Sequence, residues 1–316
     1  MQQKNLPTIA KDVLATVAYY DGLEYPLTAF EIWKYLMRAD YCETEYGQPQ
    51  TVRLNEILLA LENEKVREFV EKKNGFYFLK GREELVEEKI ERGKISAIKI
   101  KKLQKVVWWL RFVPFVRMVG VTGTLSMKNA EAKSDWDVLI VLEKDHIWTG
   151  RTLVTIFLQL FGKRRYDKKT TDRVCLNYYL TTKSLEIVTK DLFSASEYFF
   201  LFPLFGEKTY RSFQLRNQWI RKIKPQYTAA EILPLQLLAE TKISQKIQKA
   251  GEFCLQSLKL ERWLEKLEKN RILKNPKTYQ EGSMIRFSDE ALIFLPSPHG
   301  PSLFEKFKEK IAQFPF

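Results

Sequence analysis

The chain has 316 residues, of which 45% are hydrophobic and 29% are charged, with 13 glycines and 12 prolines. This composition excludes a collagen-like or low-complexity chain, and an aromatic content of 13% supplies enough apolar surface for a packed core. The formal net charge of +13 at pH 7 favours polyanionic partners such as nucleic acid, a nucleoside triphosphate or an acidic protein, although a merely basic, solvated surface accounts for it equally well.

Residues 1–82 are predicted to form a small domain in which three amphipathic helices precede a hairpin. Thr28 and Glu31 form a capping box at the start of the second helix. Asn74-Gly75, between two alternating segments, is typical of a type I′ turn. This order of elements resembles a winged helix-turn-helix. Because the third helix mixes acidic with basic side chains, docking or dimerisation is favoured over sequence-specific DNA binding.

Residues 83–112 are predicted to form a helical connector that is charged at first and apolar at its end. We expect Val106, Trp109 and Leu110 to be buried there. The longest apolar run, residues 106–120, contains two arginines and is too short to span a bilayer, and the first residues lack the apolar stretch of a secretion signal. These features predict a soluble, cytoplasmic protein without membrane contact.

The segment that carries chemistry lies within residues 113–225. An apolar strand over residues 116–121 runs into Gly123-Thr124, where glycine allows close approach of the backbone to a phosphate. A second strand begins at Asp135-Trp136-Asp137. Because side chains alternate along a strand, the two carboxylates point the same way and repel each other unless a cation lies between them. Three widely spaced cysteines and two histidines favour oxygen ligands, which suit Mg²⁺ or Mn²⁺.

These residues resemble the signature of the nucleotidyltransferase superfamily of DNA polymerase β type, especially its minimal nucleotidyltransferases. Gly123-Thr124-Leu125-Ser126 matches the family's Gly-Ser turn, with threonine in place of serine. Ser134-Asp135-Trp136-Asp137 matches its carboxylate motif, and the spacing of 12 residues (135 − 123) is the one that the family uses.

The resemblance implies an α+β fold: a mixed sheet with flanking helices, preceded by the winged helix and followed by a helical region over residues 226–316. It also implies Mg²⁺-dependent transfer of a nucleotide from a nucleoside triphosphate to a hydroxyl on nucleic acid, a small molecule or a protein. The residues implied are Asp135 and Asp137 as catalytic metal ligands, and Gly123, Thr124 and Ser126 as phosphate contacts.

A third carboxylate usually completes the site in this family, on a neighbouring strand. Here the expected position is Asn177, placed on one face with Cys175 and Tyr179. Asparagine can coordinate a metal but cannot act as a base, and Asp172 and Glu186 are substitutes in a less suitable register. The alternative is therefore a catalytically inactive nucleotide-binding or DNA-binding regulator. A third interpretation is an antitoxin-like partner of an acidic protein.

Basic residues cluster after the motif. Lys163, Arg164 and Arg165, in the loop 162–173, are candidate contacts for a polyanion. The basic segment 208–224 either contacts such a ligand or is an amphipathic helix whose aromatic side chains belong to the core. Towards the carboxyl end, a short strand is expected over 292–295. Three further capping boxes predict helix starts, at Ser194 with Glu197, at Thr228 with Glu231 and at Ser302 with Glu305.

Overall fold

The computed structural model describes residues 6–39, 52–166, 169–228 and 236–316. A six-stranded mixed sheet lies at the centre with helices on both faces, and this confirms the predicted α+β class. None of the helices in the described parts of the chain is both long and apolar enough to cross a membrane.

Residues 6–82 form short helices and a small antiparallel sheet. The helices are α1 (Thr8–Asp21), α2 (Ala29–Lys34), α3 (Leu54–Leu61) and α4 (Glu64–Arg67), and the strands are β1 (Leu27–Thr28), β2 (Val70–Lys73) and β3 (Phe76–Leu79) in the order β1-β3-β2. The capping box of Thr28 and Glu31 is present at the start of α2. Asn74 and Gly75 both have positive φ, as a type I′ turn requires. Both local predictions are confirmed.

The rest of the chain builds the central sheet and its helices. The elements are α5 (Glu84–Leu110), β4 (Val116–Val121), α6 (Gly123–Ser126), β5 (Trp136–Leu142), α7 (Ile147–Leu160), β6 (Val174–Thr181), α8 (Leu192–Phe200), β7 (Phe202–Phe205), α9 (Glu207–Arg216), α10 (Lys242–Leu255), α11 (Leu258–Leu273), β8 (Met284–Phe287), β9 (Ala291–Leu295) and α12 (His299–Ile311). The strand order is β7-β4-β5-β6-β9-β8, with β5 parallel to β6 and the other pairs antiparallel.

The carboxyl-terminal region contributes strands as well as the predicted helices. The hairpin of β8 and β9 pairs with β6 and extends the sheet at that edge. The apolar pattern predicted a strand over residues 292–295, and β9 confirms it, whereas β8 was not predicted. The helix start predicted at Thr228 depends on Glu231, which lies outside the described residues.

Two predicted helix starts are wrong. Helix α8 begins three residues earlier than expected, because the side chain of Asp191 accepts a hydrogen bond from the Ser194 amide and caps the helix. Helix α12 begins at His299, and Pro301 lies in its first turn, where a missing N–H costs nothing. Ser194 and Ser302 therefore lie inside their helices.

Each face of the sheet belongs to a different apolar cluster. Leu139 and Val141 of β5 pack into a cluster that also contains residues of α1, α3, α8 and α12. Val138 and Ile140 point to the other face, towards α5 and α7. The amino-terminal helices thus share a continuous core with the sheet. The predicted boundaries at residues 82, 112 and 225 stay predictions.

Helix α5 confirms the predicted connector but corrects one of its residues. Val106 and Leu110 are buried as expected, whereas Trp109 is 51% exposed. At 100° per residue, Trp109 lies about 120° from the fully buried Leu103, away from the stripe that faces the sheet.

A pair of glycine substitutions tests the junction between β7 and α9. Gly206 has a φ of +88°, and a Cβ there would lie 2.0 Å from the carbonyl oxygen of Arg117 on β4. We expect Gly206→Ala to lower the free energy of unfolding by more than about 3 kcal/mol, measured by urea denaturation. Gly81 has a φ of +79° with nothing within 4 Å of its Cβ position. Gly81→Ala should therefore cost only about 1–2 kcal/mol of backbone strain. Equal losses would contradict the close approach.

Candidate functional site

The structure brings the two aspartates of the carboxylate motif together with a cysteine. Asp135 immediately precedes β5, Asp137 is the second residue of the strand, and Cys175 of β6 is the parallel partner of Asp137. One ligand atom from each of the three residues lies within 4.8 Å of the others. The sequence predicted the carboxylate pair, but it assigned no role to Cys175, whose position depends on the pairing of β5 with β6.

Asn177 lies beside Asp137, where the family pattern expects the third carboxylate. Its Nδ2 donates to Asp137 Oδ1 over 3.0 Å. The expectation that Tyr179 shares this face is wrong, because Asp137 pairs with Cys175 whereas Leu139 pairs with Tyr178. The extra residue in β6 is a bulge that turns Tyr179 into the opposite apolar cluster.

Arg165 lies on the carboxylate pair. Its Nη1 is 2.6 Å from Asp135 Oδ2 and 3.3 Å from Cys175 Sγ. The other two predicted polyanion contacts lie nearby on the same loop. Lys163 places its Nζ 5.8 Å from the centroid of the Trp136 ring, and the Arg164 backbone forms a bridge to Val174.

The two substitute carboxylates have other partners. Asp172 accepts hydrogen bonds from Lys99 and Lys102 of α5, over 2.9 and 2.5 Å. Glu186 forms an ion pair with Lys190, and both side chains are about half exposed. The structure therefore does not bring either one to Asp135 and Asp137.

The glycine turn packs directly against Asp137. Gly123 has a φ of +63°, and a Cβ there would lie 2.6 Å from Asp137 Oδ2, so only glycine fits this position. Thr124 is exposed beside it. Ser126 is 7% exposed, and its hydroxyl donates to the Gly123 carbonyl over 2.8 Å. The serine hydroxyl thus stabilises the turn, while the threonine hydroxyl faces solvent.

Glu197 on α8, which the sequence pattern placed in a capping box, interacts electrostatically with this site. Burial and, to a smaller extent, the negative charges of Asp137 and Asp191 together raise the pKa of Glu197 to about 8. Glu197 is therefore electrostatically coupled to Asp137. One sequence signal could have found it, since Glu197 is the only charged residue between Asp191 and Glu207.

Burial also controls the protonation of the motif residues. It raises the pKa of Asp137 to about 6, and the charge of Asp135 adds to the effect, against the opposing influence of Arg165, Cys175 and Asn177. Burial and the two aspartates raise the pKa of the Cys175 thiol to about 12. Near neutral pH the Cys175 thiol is therefore protonated, whereas Asp137 is mostly ionised and open to a cation.

A cavity of about 340 Å³ opens beside the turn, between the sheet and the amino-terminal helices. Its lining residues are Gly22, Leu23, Glu24, Arg92, Thr124, Asn129, Glu131 and Ser134. Asn129 is 4% exposed and donates from Nδ2 to the Leu23 carbonyl over 3.0 Å, whereas its buried Oδ1 has no hydrogen-bond partner. The volume of the cavity is large enough for a nucleoside.

No protein-family model, curated protein or solved structure matches this chain.

The raised carboxyl pKa values predict a pH dependence of stability. Because the folded protein favours the protonated acids, stability falls as pH rises from 3.8 to about 6 for Asp137 and from 4.5 to about 8 for Glu197. Asp137→Asn and Glu197→Gln remove this loss. At pH 8 the free energy of unfolding should exceed the parent's by about 3 kcal/mol for Asp137→Asn and by about 4 kcal/mol for Glu197→Gln, and near pH 4 by little for both, in urea denaturation.

Asp172→Asn is the control of opposite sign. Burial alone would raise the pKa of Asp172, but hydrogen bonds from Lys102 and Lys99 outweigh it and lower the pKa. This variant should be less stable than the parent at pH 8. If Asp137→Asn and Glu197→Gln are also less stable than the parent at pH 8, then ionisation of Asp137 and Glu197 does not destabilise the folded protein as described above.

Proposed function

We propose that the chain binds a nucleoside triphosphate with a divalent cation and transfers the nucleotide to a hydroxyl acceptor, as in the nucleotidyltransferase superfamily that its motif resembles. The contact between Gly123 and Asp137 carries this proposal. It places a turn that a phosphate can approach against a carboxylate pair that a cation can bridge. Such a reaction requires the phosphate and the cation to lie together.

The donor set fits Mg²⁺ or Mn²⁺. Asp135 and Asp137 supply carboxylate oxygens, and rotation of the Asn177 amide would offer its Oδ1. The Cys175 thiol, with its raised pKa, stays protonated and adds little to the binding of a hard cation. Bound here, the cation would offset the charge of the triphosphate and polarise the acceptor hydroxyl.

Arg165 has a role in both states of the proposed site. With no cation present, its guanidinium offsets the charge of Asp135. When a cation takes its place, Arg165 is released within reach of the triphosphate, and a guanidinium binds phosphate oxygens by paired hydrogen bonds. The exposed hydroxyl of Thr124 is a second donor to the phosphates.

Glu197 replaces the third carboxylate as the proton acceptor. Burial and nearby negative charge hold the pKa of Glu197 at about 8, and a cation that offset the charge of Asp137 would lower that pKa towards the range of a general base. The acceptor hydroxyl gives its proton to Glu197 as its oxygen bonds to the α-phosphorus. The bond from that phosphorus to the bridging oxygen breaks, and pyrophosphate leaves.

The cavity beside Thr124 is the proposed place of the nucleoside. Its position next to the turn allows the phosphates to reach Asp135 and Asp137 while the base lies between the sheet and the amino-terminal helices.

A nucleotide-binding regulator without catalysis is the second candidate. The hydrogen bond from Asn177 and the ion pair of Arg165 satisfy the aspartates without a metal, and this favours a non-catalytic site. The two predictions that follow separate the candidates.

Nucleotide binding should depend on the metal. In calorimetric titrations with the four common nucleoside triphosphates, we expect binding in Mg²⁺ that EDTA abolishes. Asp135→Ala and Asp137→Ala each remove a ligand and should weaken binding by more than about tenfold. Asp172→Ala is the matched control, because this carboxylate bonds to α5 instead. If both variants bind as tightly as the parent, the metal assignment is wrong.

Catalysis should depend on Glu197 more than nucleotide binding does. Loss of a general base typically slows a reaction by about 100-fold or more, so Glu197→Gln should slow transfer of a labelled nucleotide by that factor and leave affinity nearly unchanged. Asn177→Asp should keep or raise the rate. Full activity of Glu197→Gln would exclude the proposed base. Nucleotide binding with no transfer by the parent or by Asn177→Asp would favour the regulator.

A further inference from the structure

An exposed aromatic surface lies on α5 and at the end of α7. We call it the aromatic strip, and it consists of Lys101, Lys105, Trp108, Trp109, Phe112 and Phe161. Trp109 is 51% and Phe161 56% exposed, and their rings lie nearly parallel with centroids 6.4 Å apart. Large aromatic side chains exposed together mark a binding surface more often than scattered apolar residues do.

The strip follows from the geometry of α5. Leu103, Val107 and Leu110 face the sheet and are buried. At 100° per residue, the four α5 residues of the strip lie within about 60° of the opposite direction, and Phe112 lies just beyond the end of the helix. The lysines at one end and the rings at the other therefore form a continuous face. Trp108 already carries the guanidinium of Arg111 at 4.6 Å, which leaves Trp109 and Phe161 as the rings open to a ligand.

The charge around the strip is positive over two long stretches of chain. Residues 92–130 and 146–166 contain no aspartate or glutamate, but they contain nine and four basic residues respectively. Lys101 and Lys105 are exposed on the strip, and Lys163 and Arg164 directly follow it. Single-stranded nucleic acid combines unpaired bases that stack on aromatic rings with phosphates that bind lysine and arginine. Every nucleotide of a single strand carries both a base and a phosphate, whereas a protein partner would need acidic side chains placed between apolar ones to match this surface. We therefore favour nucleic acid.

The strip is continuous with the site. Arg165, four residues after Phe161, contacts Asp135 through its guanidinium, and the chain limits the distance between the Cα atoms of Phe161 and Arg165 to about 14 Å. The intervening loop is held in place, because Arg173 donates to the Gly162 carbonyl and Asp172 binds Lys99 and Lys102 of α5. A few nucleotides cover this distance.

We propose that the aromatic strip binds single-stranded nucleic acid and presents the end of that strand to the site as the hydroxyl acceptor. The proposal that the strand binds depends only on the aromatic strip. The proposal that the end of the strand is the hydroxyl acceptor rests on the proposed function. Trp109 and Phe161 stack on unpaired bases, and Lys101, Lys105, Lys163 and Arg164 contact the phosphates.

Fluorescence anisotropy with labelled oligonucleotides tests this proposal without nucleotide or metal. The probes are a single-stranded RNA of about 12 nucleotides, the DNA of the same sequence, and the corresponding duplex. We expect one or both single strands to bind more tightly than the duplex, whose bases are not free to stack. The better single strand identifies the sugar that the surface prefers.

Variants separate stacking from charge. Trp109→Ala and Phe161→Ala should each weaken single-strand binding by about tenfold, and Trp109→Leu, which keeps an apolar side chain of similar placement, should weaken it as well. Trp263→Ala is the matched control, since Trp263 on α11 is 57% exposed but lies outside the strip. Lys101→Gln with Lys105→Gln should reduce the slope of log affinity against log salt by about 1.4.

The outcomes distinguish this proposal from the proposed function. Single strands that bind no better than the duplex, or that bind equally to the parent and to Trp109→Leu, would overturn it even if nucleoside triphosphates bind with Mg²⁺. If the protein binds single strands through the aromatic strip but does not bind nucleoside triphosphates, the proposed binding surface is supported and the proposed nucleotide transfer is contradicted. Association of the chain with itself that Trp109→Leu abolishes, without oligonucleotide binding, would identify a protein interface instead.

Discussion

The close approach of Gly123 to Asp137 is the constraint on which the candidate site depends. A side chain at position 123 would collide with the Asp137 carboxylate, and the Thr122 amide donates to the Asp137 carbonyl, so the turn after β4 is held against the start of β5. This arrangement leaves Asp137 half-buried, and the loss of solvent around its carboxylate raises its pKa. Arg165 donates to Asp135 and Asn177 donates to Asp137, and these hydrogen bonds offset the repulsion between the two carboxylates. Glu197 on α8 interacts electrostatically with Asp137.

The parts of the site that are local in sequence could be predicted. Strand alternation places Asp135 beside Asp137, and the glycine turn lies at the end of an apolar strand, so both follow from a short segment. Cys175 depends on the pairing of β5 with β6, and Tyr179 depends on the bulge that follows it in β6. Glu197 stands out locally as the only charged residue between Asp191 and Glu207, but its neighbours depend on how α8 packs over the sheet. The exposure of Trp109 was mispredicted because its spacing fits the buried stripe until the whole helix is considered.

The amino-terminal helices and the sheet depend on each other. Lys224 is fully buried between them, where it donates to the hydroxyl of Tyr20 and the carbonyl of Tyr35 over 3.3 and 3.1 Å. Burial lowers the pKa of this lysine to about 7. The same packing forms the cavity beside Thr124 from residues of both regions.

Anomalous X-ray diffraction from crystals grown with Mn²⁺ and a non-hydrolysable nucleoside triphosphate tests the central claim most directly. The proposed function predicts an anomalous peak bonded to both Asp135 and Asp137, with phosphate against Gly123 and Thr124 and with Arg165 moved away from Asp135. An Arg165 that still binds Asp135, with no peak between the two carboxylates under saturating Mn²⁺ and nucleotide, would contradict it.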